Sequence, residues 1–179
     1  HPHFIADPAE IGHYVTHEVH HLGFLARQRM PPLTHLNRPK VVANIIRYMT
    51  QMEGLAVHAA YAGREAQRAL TADKDYAVYQ HKDAAQKTMA RYVDIRSRTQ
   101  SDKPLSGGEI NTILGAMSSG ERLWYRVGAL AARRIEQEGG AEALARTMDQ
   151  PKRFHGALEE MLKEAAPPQG LTWNCFTGR

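Results

Sequence analysis

The stretch "NRPKVVANIIRYMTQMEGLAVHAAY", residues 37–61, reads as the start and body of one long helix. Pro39 suits a first helical turn, where its missing N–H costs nothing and its φ is already set. The interior that follows is rich in Val, Ala, Ile and Met, the composition of a helix buried on most sides. It is expected to run to about Leu70. Two residues stand out within it. Glu53 is an acid among Met49, Met52, Leu55, Ala56 and Val57, so it is expected to be buried. Gly54 is a poor mid-helix residue, but its lack of a side chain lets another backbone approach closely.

The chain on either side is punctuated in the same helical way. Asp7-Pro8-Ala9-Glu10 is a capping-box start, and the helix it opens runs to about Met30, before Pro31-Pro32. A polar third helix is expected from Asp73 to Ser101. Ser106-Gly107-Gly108-Glu109 is a second capping box. Its helix breaks at Ser118-Ser119-Gly120 and resumes through Glu138, where Gly139-Gly140 ends it. Shorter helices follow at Ala141–Met148 and about Lys152–Glu164. No stretch alternates as a strand does, and there is no internal repeat. The fold expected is all-α, an irregular multi-helix bundle of one domain over residues 1–166, with an irregular tail over 167–179. In that tail Trp173, Cys175 and Phe176 are expected to dock on the bundle.

Composition narrows the function. The 179 residues are 42% hydrophobic and 23% charged, as in an ordinary globular domain, with net charge +4 and a pI near 9.3. The cations are not clustered. Arg126, Arg133, Arg134 and Arg146 alternate with Glu121, Glu136, Glu138 and Glu142, the pattern of a solvated helix surface and not of a phosphate track. Nucleic acid is therefore not the expected partner. No apolar run has the length of a membrane span. The single cysteine, Cys175, has no internal disulfide partner. The cytoplasm is slightly favoured, and the start at His1 in place of Met leaves export open.

The chemistry is concentrated in His17-Glu18-Val19-His20-His21, an H-E-x-x-H sequence. Residues four apart share a helix face, so His17 and His21 can aim two imidazoles at one ion. Glu18 sits one position round, where it can take a proton from a water at the metal and pass it to a leaving amine. Tyr14, Leu22 and Leu25 fall on the side of His17, Glu18 and His21, so the cluster is expected to face inward. Buried imidazoles and a carboxylate need a compensating partner, and a divalent cation supplies one. The third protein ligand is not the histidine of the metzincins, since Arg27 and Phe24 occupy the positions of that subclass's third His and its glycine. Glu53, followed by Gly54, is the acid available on a later helix.

H-E-x-x-H followed by E-G-x-A resembles the gluzincin metallopeptidases, and most of all their largely helical, uncharacterised branches assigned as zinc-dependent peptidases. The resemblance spans roughly Ile11 to Phe154, with the two short motifs its specific part. It implies zinc (Zn2+) held by His17, His21 and Glu53, Glu18 as general base, and a peptide or protein substrate. Such branches often carry a tyrosine and then a glycine on a helix near the metal, here Trp124-Tyr125-Arg126-Val127-Gly128. Tyr125 is accordingly the candidate oxyanion donor, with Gly128 opening space on its face, and His58 or His81 next in line. The sequence departs from the thermolysin pattern at Val57, where an orienting acid is usual, and it lacks an edge strand for the substrate.

The remaining candidates are weaker. His20 fits a supporting or solvent-facing place, and His13 is a minor alternative ligand. Tyr76, Tyr79 and His81 could line a pocket. Met49, Met52 and Met89 suit core filling. Glu18-Val19-His20-His21 also contains the E-x-x-H of di-iron bundles, but that class needs a second copy on a separate helix, and none of the later helices carries one. A DinB-like metal-binding bundle is the other alternative, and it leaves Glu53-Gly54 unexplained. A peptidase-derived module with a decayed site is a third.

Overall fold

The computed structural model describes residues 8–67 and 74–165. Among them there are seven α-helices and no strand: α1 (Pro8–Leu25), α2 (Pro39–Ala66), α3 (Ala77–Gln80), α4 (Lys82–Ser97), α5 (Gly107–Met117), α6 (Leu123–Asp149) and α7 (Pro151–Ala165). The all-α expectation holds. The N-cap Asp7, the segment around Leu70 and Asp73, and the tail with Trp173, Cys175 and Phe176 lie outside the described residues.

Helix α2 is the axis of the bundle. Val42, Ile46 and Leu55 are buried with Phe24, Tyr92, Ile95, Ile113, Met117, Val127 and Phe154 in one core. Against α2 lies α6, and their crossing is built on two glycines. A Cβ on Gly128 would fall 2.0 Å from the Thr50 carbonyl oxygen, inside any tolerable contact. Gly54 thus admits another backbone as expected. Gly128 does the same from the other side, so it opens no space for a substrate, contrary to its sequence reading. Close backbone approach is the reason for both glycines.

Caps set several boundaries where expected. Ser106 accepts from the Glu109 N–H while the Glu109 carboxylate accepts from the Ser106 N–H, a complete capping box. Helix α6 is interrupted by Gly140 at φ 77°, after which the chain turns back. The return brings the Thr147 carbonyl to the Gln51 amide at 2.8 Å.

Three expected boundaries moved, the first being the end of α2, which falls at Ala66 and not near Leu70. Helix α1 ends at Leu25, short of Met30. Beyond it the Gln28 side chain is drawn to the Met148 carbonyl at 2.6 Å, while its own carbonyl accepts from the Tyr48 hydroxyl. The third helix is broken into a 3-10 turn at Lys74–Tyr76, the short α3, an extended His81 and then α4. Long-range bonds explain the break. The Tyr76 hydroxyl donates to the Val57 carbonyl, the Tyr79 hydroxyl to that of Ala129, and Asp75 is gripped by Arg122 and Arg126. Tyr76 and Tyr79 therefore pack into the bundle, against Val57 and Ala129.

Helix α1 runs antiparallel to α2. Glu10 meets Arg64 near one end, and the Phe24 and Tyr48 rings meet edge to face near the other. Its inward face carries Glu10, His13, His17, His20, His21 and Phe24, of which Phe24 is the one apolar residue in the core. Tyr14, Leu22 and Leu25, expected to face inward with the histidines, are instead about half exposed or more. No described helix is long and apolar enough to cross a membrane.

Candidate metal centre

Three side chains from two helices meet where α1 crosses the middle of α2. His17 and His21 are one turn apart on α1, and Glu53 rises from α2 beneath them. The His17 and His21 Nε2 atoms are 3.0 Å apart, and Glu53 Oε2 lies 3.3 and 3.2 Å from them. These three atoms form a nearly equilateral triangle. Donors on a tetrahedral zinc with arms of about 2.05 Å lie about 3.3 Å apart, so the triangle has the size of one tetrahedral face. Glu53 is 7% exposed, yet its Oε2 receives no well-aligned hydrogen bond. A buried carboxylate oxygen without one is costly, and a cation at the centre of the triangle would satisfy it. The donor set, two imidazoles and a carboxylate, is one that zinc takes in hydrolases and that non-haem iron takes as well. Among the described residues no other trio of His, Cys, Asp or Glu comes together this way.

Residues 4–165 match the family described as "Putative zinc dependent peptidase (DUF5700)". The chain belongs to this family. No curated protein and no solved structure matches it. The zinc in the family's description agrees with the donor set that His17, His21 and Glu53 bring together.

The electrostatics of the family member's trio follow from burial and proximity. Burial pushes the Glu53 carboxyl up, but the two imidazoles outweigh it and hold it at about 2. His21 is raised above its usual value, first by its contact with Glu53, against burial, and then by the charges of Glu53 and Glu18. Glu18 is exposed and stays outside the trio. It lines a groove of about 510 Å³ together with His21, Glu53 and a set of apolar side chains. The general-base candidate thus faces the open side of the site, while the trio closes the protein side.

The other sequence candidates fall in varied places. Tyr125 is half-buried on α6 and does not line the groove. Burial and then the nearby charge of Glu53 raise its hydroxyl, so it stands within electrostatic reach of the trio. Its ring is covered by the Arg122 guanidinium at 3.8 Å, and Arg122 is in turn fixed by the buried Asp75. His13 is not a ligand here. Its Nε2 is 3.0 Å from the Gln67 side-chain oxygen, and its ring packs on Gly63. His20 is held at about 4, by burial first and then by His21, His17 and His58. His58 is committed to structure, with Nδ1 at 3.0 Å from the Tyr79 hydroxyl and Nε2 at 2.7 Å from Glu136.

Sequence reasoning missed two features. Met49 and Met52 pack against the core but also wall the groove, with Met30 and Val15. Asp75 is a fully buried acid with two arginine partners, set by a segment read only as a polar helix. For the inner nitrogen of His21 no orienting partner exists among the described residues.

Proposed function

We propose that this protein is a zinc-dependent hydrolase of gluzincin type that cleaves peptide bonds. The observation that carries the reading is the 3.0–3.3 Å triangle of His17, His21 and Glu53 donors. Membership of the family described as "Putative zinc dependent peptidase" supports it. A zinc ion held by the three donors would polarise the scissile carbonyl and make a water acidic enough to attack near neutral pH. Glu18, next to His17 in sequence and on the groove side of α1, accepts the proton of the attacking water. It then returns that proton to the leaving amine. His21 and Glu53 both line the groove, so a substrate lying in it would meet the donors that would hold the ion. Tyr125, half-buried on α6 and outside the groove lining, is the candidate hydrogen-bond donor to the developing oxyanion on the strength of the family resemblance.

The test has two parts. Purified chain should bind about one zinc, and His17→Ala with His21→Ala should abolish it. Full occupancy in that double variant would remove the basis of the reading. Glu18→Gln should keep the metal and lose hydrolysis by several orders of magnitude. Loss of the metal with Glu18→Gln would place Glu18 among the ligands and favour a carboxylate-bundle site.

A further inference from the structure

Helix α1 is inside out for a surface helix. Its buried face is largely histidine, while Ile11, Tyr14, Val15, Leu22 and Leu25 are between 46% and 69% exposed. An amphipathic helix ordinarily buries such a stripe, and contiguous exposed apolar surface marks a binding region. This stripe is continuous with the candidate metal centre. All of it but Ile11 forms one wall of the groove, Met30, Met49 and Met52 contribute to the rest, and Glu18, His21 and Glu53 are its polar part.

The helix period places the apolar wall relative to the chemistry. Val15 and Leu22 lie three residues before and four after Glu18, so each is one turn away on the same face, about 5–6 Å off. A bond held at Glu18 and His21 therefore has its flanking side chains over Val15 on one side and Leu22 on the other. Methionines complete the walls, and their unbranched side chains adapt to different apolar shapes. The volume of about 510 Å³ is within the range of small-ligand sites.

Charge narrows the occupant further. Among the described residues the acidic side chains lining the groove are Glu18 and Glu53, and no Lys or Arg lines it. Apart from an ion held at the trio, neither a chain-terminal carboxylate nor an acidic side chain would find a cationic partner among these lining residues. No strand exists among the described residues to pair with an extended backbone, so side-chain burial has to supply the affinity.

We infer that the groove takes an internal peptide segment with bulky apolar side chains on both sides of the scissile bond, and that Val15 and Leu22 determine that specificity. The inference rests on the hydrolase reading above for its geometry, but binding can be measured without turnover.

The probe is a fluorescent peptide blocked at both ends, with a central Leu-Phe pair between polar residues. Its comparators carry Asp-Asp or Lys-Lys at the centre, or the Leu-Phe pair at a free C-terminus. Anisotropy is measured on the full chain carrying Glu18→Gln, with zinc added. The blocked Leu-Phe peptide should bind at least about tenfold more tightly than each comparator. Leu22→Lys, at an exposed position that the fold does not need, should abolish that preference and favour the Asp-Asp peptide, with zinc content unchanged. Equal binding of all the peptides, or a preference indifferent to Leu22→Lys, overturns the inference. So does a dimer that Leu22→Lys converts to monomer in sedimentation, which would assign the face to a second copy. The two readings fail separately. Discrimination among peptides by a chain that binds no zinc defeats the hydrolase reading and upholds the groove. Hydrolysis without apolar preference in the zinc-loaded chain does the reverse.

Discussion

Gly54 and Gly128 touch backbone to backbone: a Cβ on Gly54 would lie 2.2 Å from the Gly128 carbonyl carbon. The contact sits one residue from Glu53, so the crossing of α2 and α6 also sets the height of the carboxylate beneath the two histidines.

Gly54→Ala should therefore damage both fold and site. The added methyl meets main chain, which cannot rotate away, and overpacking of this kind costs about 3 kcal/mol. Urea denaturation should show that loss, and zinc affinity should fall with it as Glu53 is displaced. A variant as stable as the parent would mean that the two helices separate more easily than their packing implies.

Glu53→Gln separates a ligand from a buried acid. Zinc at a hundredfold excess over its Kd should stabilise the parent by about 2.7 kcal/mol, because it binds only the native state. In Glu53→Gln most of that gain should vanish, while the melting curve in chelator changes far less. Equal shifts with and without zinc would make Glu53 a structural partner of the histidines.

Tyr125→Phe should leave zinc affinity unchanged and lower kcat by about a hundredfold, the cost of one oxyanion donor. The Arg122 guanidinium on its ring holds the aromatic plane in either form, so the substitution tests the hydroxyl alone. An undiminished rate would assign the donor to another group.

His155 should make the protein acid-sensitive. Burial, then the charge of Arg47, holds its pKa at about 4, against 6.5 when free. The unfolded chain thus takes up a proton at a higher pH than the folded one. The contribution is fully present above pH 6.5 and is lost as pH falls toward 4. At pH 5 about 2 kcal/mol of it is already lost. Denaturation at pH 7 and pH 5 should show a smaller acid loss in His155→Gln than in the parent, and identical losses would contradict the assignment.

The parts of this molecule that are local in sequence were legible there. His17 and His21 share a face because of the helix period, and the Ser106–Glu109 box and the glycine break at Gly140 rest on neighbouring residues. Glu53 was legible for a different reason: an acid and a glycine in an apolar helix each need a distant explanation, and the structure supplies both at one level of α2. What the sequence hid is non-local. The break between α3 and α4 depends on hydroxyl bonds from Tyr76 and Tyr79 to carbonyls on α2 and α6. Gly128 was read as space because a glycine's emptiness looks the same whether a ligand or a helix fills it. The stripe of Tyr14, Leu22 and Leu25 was read as inward because apolar residues usually are. On α1 that rule fails, since the histidines occupy the inner face.

That reversal bears on how α1 opens. Among the described residues, Phe24 is the one apolar side chain that α1 buries in the core, and the rest of its inner face is held by ion pairs and imidazole contacts. Local opening free energies follow buried apolar contact. The middle of helix α2, buried at every residue from Thr50 to His58, should hold its amide protons until the whole domain unfolds. The amides of α1 should instead exchange with solvent through detachment of that helix alone. The slowest and fastest exchanging helices of the bundle would then face each other across His17, His21 and Glu53, with any ion held there bridging the two.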